Sequence, residues 1–330
     1  MKHIYFIGNG FDLHHGFKTQ YTDFRDWLKE YDDEAFNELI WLYGVKDDNS
    51  DETYDWWSTF ETHLVDFDVF DDIIEIANEN SINYGADGFR EGDRYSGGVE
   101  AEQRFEETMT KILGYFGAWI DSLRDLTSEK EISLDKDSDF ITFNYTLTLE
   151  NIYKIQADQV HHIHGKYKED NYILGHGKSY QEIEKSIRDN EPQPPKGMSE
   201  DELHDWYAEQ WDEAYENTMR YTASKLASYK KDTASIINAN KSLFDAMTNL
   251  ESITILGCSF SEIDTPYFSE AIRRAKNRSK LKFVVNWHSL RDLDKIEKFF
   301  KSEGIADNMV EKIKLNDITA IRATSSKHIV

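Results

Sequence analysis

The chain has 330 residues, of which 39% are hydrophobic and 14% aromatic, enough for a substantial core and against intrinsic disorder. Its net charge of −25 argues against broad contact with nucleic-acid phosphates or anionic membranes, while leaving local recognition of a nucleotide open. A single cysteine, Cys258, excludes an internal disulfide framework and a four-cysteine zinc site.

The opening MKHIYFIGNG lacks a secretory apolar stretch and a small-residue cleavage site, and no apolar run nears the roughly 18 residues of a membrane span. A cytoplasmic, reducing compartment is expected. Ile4 to Ile7 reads as a buried first strand ending in a tight Gly8-Asn9-Gly10 turn. Thr22 to Tyr31 has a helical pattern. Asp47 to Glu75 carries eleven acidic residues and no Lys or Arg, which marks a solvated face or a partner-binding surface. Asn83 to Gly98 reads as a long loop, and Glu100 to Leu126 as a helix with Phe105, Met109, Ile112, Phe116 and Ile120 on one face.

Phe140 to Phe143 returns to a strand pattern, followed by a helix at Thr148 to Ile155 and short strands at Val160 to Ile163 and Tyr172 to Leu174. Three of the four prolines cluster in Glu191 to Pro195, marking a loop. A polar helix is predicted over about Glu200 to Lys230, and another over Thr233 to Asn249. Ile253 to Leu256 and Leu281 to Val285 read as strands flanking a basic helix at Pro266 to Lys276. Asp292 to Lys301 reads as helical, and Ile318 to Ile321 as a last strand. Strands separated by helices imply an α/β, Rossmann-like fold with a mainly parallel sheet. The long helical regions at about 21–138 and 178–250 are expected as insertions into a single domain over 1–330.

A parallel sheet gathers the carboxyl ends of its strands on one rim, so the residues there can share a crevice. In IGNGFD, Gly8 and Gly10 allow close backbone approach. Asn9 tolerates unusual backbone angles and can donate to a ligand, and Asp12 fits poorly beside phosphate but suits a helix cap or a ribose hydroxyl. The turn suits a phosphate, or is simply a tight strand-to-helix connection. In TFNYT, Thr142 and Thr146 offer hydroxyls, and Asn144 is an amide that needs partners at the strand end. Glu150 is a surface residue or an anchor for the site. In HHIHG, strict alternation puts His162 and His164 on one face and His161 on the other. His164, followed by Gly165, suits acid–base work near neutral pH. His176 in LGHG is a further polar candidate. In LGCSFSEID, Gly257 permits close approach, Ser259 offers a hydroxyl, Cys258 reads as packing, and Asp264 reads as a helix cap. Trp287 and His288 suit the core edge or a base-stacking wall. Metal-ligand spacings are lacking, so no metal is expected.

IGNGFDLHHGFKTQYTDF, with the FNYTLTLE, HIHG, LGHG and GCSFSEID segments, resembles the AbiH family of bacteriophage abortive-infection proteins. The resemblance spans nearly the whole chain and implies a role in phage defence. More distantly, the order of glycine turn, T-x-N-Y, H-x-H-G and G-x-S-x-x-x-x-D is similar to sirtuin-like NAD-binding and NAD-degrading domains. That resemblance implies Asn144 and His164 as a catalytic pair. It implies Gly8, Asn9, Gly10, Phe11, Asp12, Thr142, Gly165, Gly257, Ser259 and Asp264 as the lining of a dinucleotide site. Asp12 stands where that pattern has serine, Thr146 where aspartate is common, and the zinc ribbon of deacetylases is missing. The expected activity is hydrolysis of NAD or a related nucleotide at its N-glycosidic bond, answering a phage-derived trigger, in a chain able to self-associate. A nucleotide-sensing or partner-binding module without turnover is the second expectation, and a metal-dependent nuclease the third.

Overall fold

Ile4 to Ile7 is apolar on both faces and forms β1 (His3–Ile7), in the interior of a six-stranded sheet. The other strands are β2 (Asp139–Thr142), β3 (Val160–His162), β4 (Ser252–Leu256), β5 (Lys282–Asn286) and β6 (Val310–Ile313). Their order is β3-β2-β1-β4-β5-β6, and every neighbouring pair is parallel. This is a Rossmann-like sheet. The chain builds outward from β1 to β3, then returns to lay β4 on the other side of β1. The reversal makes a switch point between the carboxyl ends of β1 and β4.

This computed structural model describes residues 1–48, 50–65, 69–83, 85, 87–123, 126–128, 130–168 and 172–315, and the strand expected at Ile318 to Ile321 lies outside them. Alternation along the strands supplies two cores. Ile4, Phe6, Ile141, Ile253, Ile255, Phe283 and Val285 pack on one face with Tyr267, Phe268, Ile272 and Phe300. Tyr5, Ile7, Phe140 and Val160 pack on the other with Leu149, Tyr153 and Ile155. Tyr5 stacks on Phe140 at 4.8 Å, and Phe6 meets Phe268 edge-on at 5.0 Å.

The chain divides into two compact units. The sheet lies in the unit made of Met1–Trp27, Phe116–Ile173 and Lys231 onward. The second unit comprises Leu28–Tyr115 and Leu174–Lys230 and is helical. Its core includes Phe36 and Phe60 stacked on the buried Trp57. There Arg188 binds Glu184, Glu191 and Glu216 through its guanidinium.

Several element boundaries differ from the sequence reading. The long helix runs Ser96–Ser122, starting inside the expected loop, where a 3-10 turn (Glu91–Tyr95) precedes it. The polar helix breaks at Trp211, because Asp212 accepts the N–H groups of Ala214 and Tyr215 and starts a new helix, Glu213–Ser228. Thr148–Asn151 is a single helical turn. No strand forms at Tyr172 to Leu174; instead the Ile173 N–H donates to the His164 carbonyl at 2.9 Å.

Candidate functional site

The turns after β1 and β4 meet backbone to backbone. Gly8 N–H donates to the Leu256 carbonyl, Gly10 N–H to the Gly257 carbonyl and Phe11 N–H to the Gly8 carbonyl, each at 2.9 Å. A Cβ on Gly8 would lie 2.5 Å from the Gly257 carbonyl oxygen, and one on Gly257 would lie 2.1 Å from Phe11 N. Gly257 also holds φ +72°, a left-handed conformation that side chains disfavour. The Asn286 carboxamide at the end of β5 accepts the Gly257 N–H. These glycines are thus required by the mutual approach of two turns, and the N–H groups of Gly10 and Phe11 are already spent. Asn9 donates from Nδ2 to the Thr19 carbonyl at 2.7 Å.

The end of β2 is tied to the same turn. Asn144, buried, donates from Nδ2 to the Gly8 carbonyl at 3.1 Å, and its N–H donates to Thr142 Oγ1 at 3.1 Å. Asp12, on the short helix Asn9–His14, is fully buried and accepts hydrogen bonds from Thr146 at 2.5 Å and Thr148 at 2.7 Å. Burial pushes its pKa up to about 6, against the lowering pull of the threonines, of Asn144 and of the His162 charge. His162 places Nδ1 3.2 Å from the Asn144 carbonyl and Nε2 2.8 Å from Glu150 Oε1. Glu150 is therefore an anchor of the cluster, and its Oε2 is buried without a hydrogen bond.

His162 and His164 do not share a face, contrary to strict alternation. β3 ends at His162 and a turn follows, with Gly165 at φ +87°. His164 consequently swings to the opposite core, 5.2 Å from the Phe143 ring. Its Nε2 lies 3.2 Å from the Tyr267 hydroxyl and its Nδ1 3.5 Å from the Lys231 ammonium. Burial, with the Lys231 charge second, holds its pKa well below the ordinary 6.5, so the ring is neutral. An ammonium can only donate, so Nδ1 accepts and Nε2 carries the hydrogen. Among the described residues, no hydrogen bond joins the Asn144 amide to the His164 ring.

The segment after β4 divides. Ser259 is exposed, whereas the Cys258 sulfur lies 3.8 Å from the Phe6 carbonyl and 3.7 Å from that of Leu256. Burial, reinforced by the nearby Asp264 charge, pushes the thiol pKa well up, consistent with packing. Asp264 stands at the N-cap of helix Thr265–Arg274, but its side chain makes no cap hydrogen bond. His176 belongs to the helical unit, with Nε2 2.8 Å from the Leu226 carbonyl. Trp287 packs at the core edge beneath the Lys314 ammonium, 4.4 Å from its ring centre. Among the described residues, no group of three or more His, Cys, Asp or Glu side chains is placed to hold a metal ion. No described helix is long and apolar enough to cross a membrane.

Sequence reading missed Thr148, Lys231, Tyr267 and Asn286 as members of these clusters. Asn286 was detectable as a polar residue closing an apolar strand, as Asn144 does. Lys231 and Tyr267 carried no such signal, because only the fold brings them to His164. A small recess of about 20 Å³, room for a water molecule or so, is lined by Thr146, Thr148, Asn151 and Tyr167 with the apolar Leu123 and Ile152. Comparison with curated proteins and with solved structures finds no match. A family model described as bacteriophage abortive infection AbiH matches residues 4–287. With that match covering most of its length, the chain belongs to the AbiH family of bacteriophage abortive-infection proteins.

Proposed function

We propose that this abortive-infection protein hydrolyses NAD or a related nucleotide at the N-glycosidic bond, on the carboxyl rim of its sheet. The observation that carries the reading is the parallel β3-β2-β1-β4-β5-β6 order with buried polar groups at the ends of β1, β2 and β3. Sheets of this kind take their ligands at that rim. Cleavage of a nicotinamide–ribose bond builds positive charge on the sugar and needs a base for the attacking water more than a strong acid. Neutral His164 is in the protonation state that a base requires. To act, it must exchange the Lys231 contact at Nδ1, the ring's unprotonated nitrogen, for the substrate hydroxyl or water. Asn144 orients the sugar and holds the Gly8 turn. The spent N–H groups of Gly10 and Phe11 argue for a ribose or base beside this turn in preference to the pyrophosphate. Loss of the nucleotide would then arrest the infected cell.

The test is incubation of the purified chain with NAD, alone and with phage lysate as a source of trigger. Wild type is expected to release nicotinamide, and His164→Ala and Asn144→Ala to lose about 100-fold or more of the rate. A folded wild-type protein that releases none under either condition sinks the reading. The full engagement of Asn144 and His164 with protein groups favours a second reading, nucleotide sensing without turnover. Mass spectrometry of an intact co-purified nucleotide, still bound by His164→Ala, would select it.

A further inference from the structure

Helix Glu200–Gln210, in the second unit, has no buried residue. A helix of 11 residues is marginal in water unless one face is packed. The Ser199–Glu202 capping box supports its first turn. Farther along, Asp201, Asp205 and Glu209 follow one another four residues apart, all exposed, and like charges at that spacing weaken a helix. Beside this row runs an apolar stripe. Leu203, Trp206 and Tyr207 share a face, and Trp211 follows at the helix end. Tyr207 is 55% exposed and Trp211 65%, and the Trp206 and Tyr207 rings meet edge-on at 5.1 Å. From Glu200 to Glu213 the chain has seven acidic residues and no Lys or Arg. Rings flanked by carboxylates fit the side chains of Lys and Arg, whose charged heads pair with the acids while their stems and charges cover the rings.

The chain carries a surface of that chemistry itself. Arg273 to Lys282 holds six Lys and Arg and no Asp or Glu, in a chain of net charge −25. Glu270 holds Arg273 and Arg274, and Glu303 holds Arg278. Lys276, Lys280 and Lys282 are exposed and make no ion pair among the described residues. Leu281 is extended and buried, so Lys280 and Lys282 project together on the outer side. Their spacing along the backbone is about 7 Å. Successive carboxylates in the row of the acidic helix are about 6 Å apart along its axis. The two spacings match. Lys282 opens β5, so this edge lies at the amino end of the strand, away from the carboxyl rim of the sheet.

We propose that helix Glu200–Gln210 of one copy docks on the Arg273–Lys282 edge of a second copy, so that the chain self-associates through two unlike, complementary patches. Lys280 and Lys282 pair with neighbouring carboxylates among Asp201, Asp205 and Glu209, and lysine stems cover the Trp206 and Tyr207 rings. Docking gives the helix the packed face and the counter-charges that it lacks. Two such contacts, exchanged about a two-fold axis, make the smallest closed assembly. The inference is independent of the chemistry at the rim, because neither patch includes a rim residue.

The test is sedimentation velocity on the full chain. Wild type is expected to sediment as a dimer or larger at about 0.1 M salt and to dissociate toward the single chain at about 1 M, as the screening length falls from about 10 Å to about 3 Å. Two charge-reversed variants, Asp201→Lys with Asp205→Lys and Lys280→Glu with Lys282→Glu, are each expected to associate at least about 10-fold more weakly. Mixed one to one, they are expected to associate again, because the basic helix of the first meets the acidic edge of the second. Trp206→Ala with Tyr207→Ala, which leaves every charge in place, is also expected to weaken association at least about 10-fold. All the substituted side chains are partly or fully exposed, and circular dichroism verifies that each variant is folded. A wild type that stays a single chain at low salt overturns the proposal. So does an assembly that both reversals leave intact, or a mixture of the two variants that stays dissociated.

Discussion

At the scale of the residue, Asp12 and His164 are buried at the rim with opposite electrostatic consequences. Burial raises the Asp12 pKa to about 6, so across about pH 4 to 6 the folded chain holds a proton that the unfolded chain has lost. Its contribution therefore falls as pH rises through that window, by about 3 kcal/mol. His164 is held neutral, so below about pH 6.5 the unfolded chain takes up a proton that the folded chain refuses. Its contribution falls as pH drops. The two slopes oppose each other, and single variants should separate them. Urea denaturation of Asp12→Asn is expected to show a steeper loss of stability on acidification than wild type, and His164→Gln a shallower one. Parallel pH profiles for wild type and Asp12→Asn would contradict the assigned burial effect.

At the scale of the element, the close approach of the turns after β1 and β4 sets the geometry of the rim. Gly257→Ala would force a Cβ to within 2.1 Å of Phe11 N and keep φ +72°, so a loss of more than about 3 kcal/mol is expected. Gly114→Ala is the contrasting case. Gly114 lies in helix Ser96–Ser122 with nothing within 4 Å of a new Cβ, and a gain of about 0.5–1 kcal/mol is expected. Denaturant midpoints measure both, and equal effects would refute the packing account. The glycines were visible in the sequence, but not their cause: GNG reads equally as a phosphate cradle, and only the placement of Gly257 opposite it shows what the missing side chains make room for. The His162–His164 divergence has a similar origin. Alternation predicts a shared face, but β3 stops at His162, and a strand's end is set by its neighbours' pairing more than by its own residues.

At the scale of the whole molecule, the net charge of −25 is self-repulsive. Added salt shortens the screening length from about 30 Å at 0.01 M to about 8 Å at 0.15 M. Thermal stability is accordingly expected to rise over that range, by on the order of 1 kcal/mol. A fall in melting temperature would show that the salt bridges outweigh the repulsion. The parallel α/β class, the buried β1, β2 and β4 and the apolar face of helix Ser96–Ser122 were legible from local composition and period, because such patterns report how a segment meets water. Membership in the AbiH family was legible from the IGNGFD, FNYT, HIHG and GCSFSEID segments for the same local reason. The strand order, the Asp12–Thr146–Thr148 cluster, and the meeting of His164 with Lys231 and Tyr267 were not. Asp12 is separated from Thr146 by 134 positions, and His164 from Tyr267 by 103. Which distant groups share a hydrogen, and which are removed from water, is decided by packing of the sheet and its helices, and no periodicity along the chain encodes it.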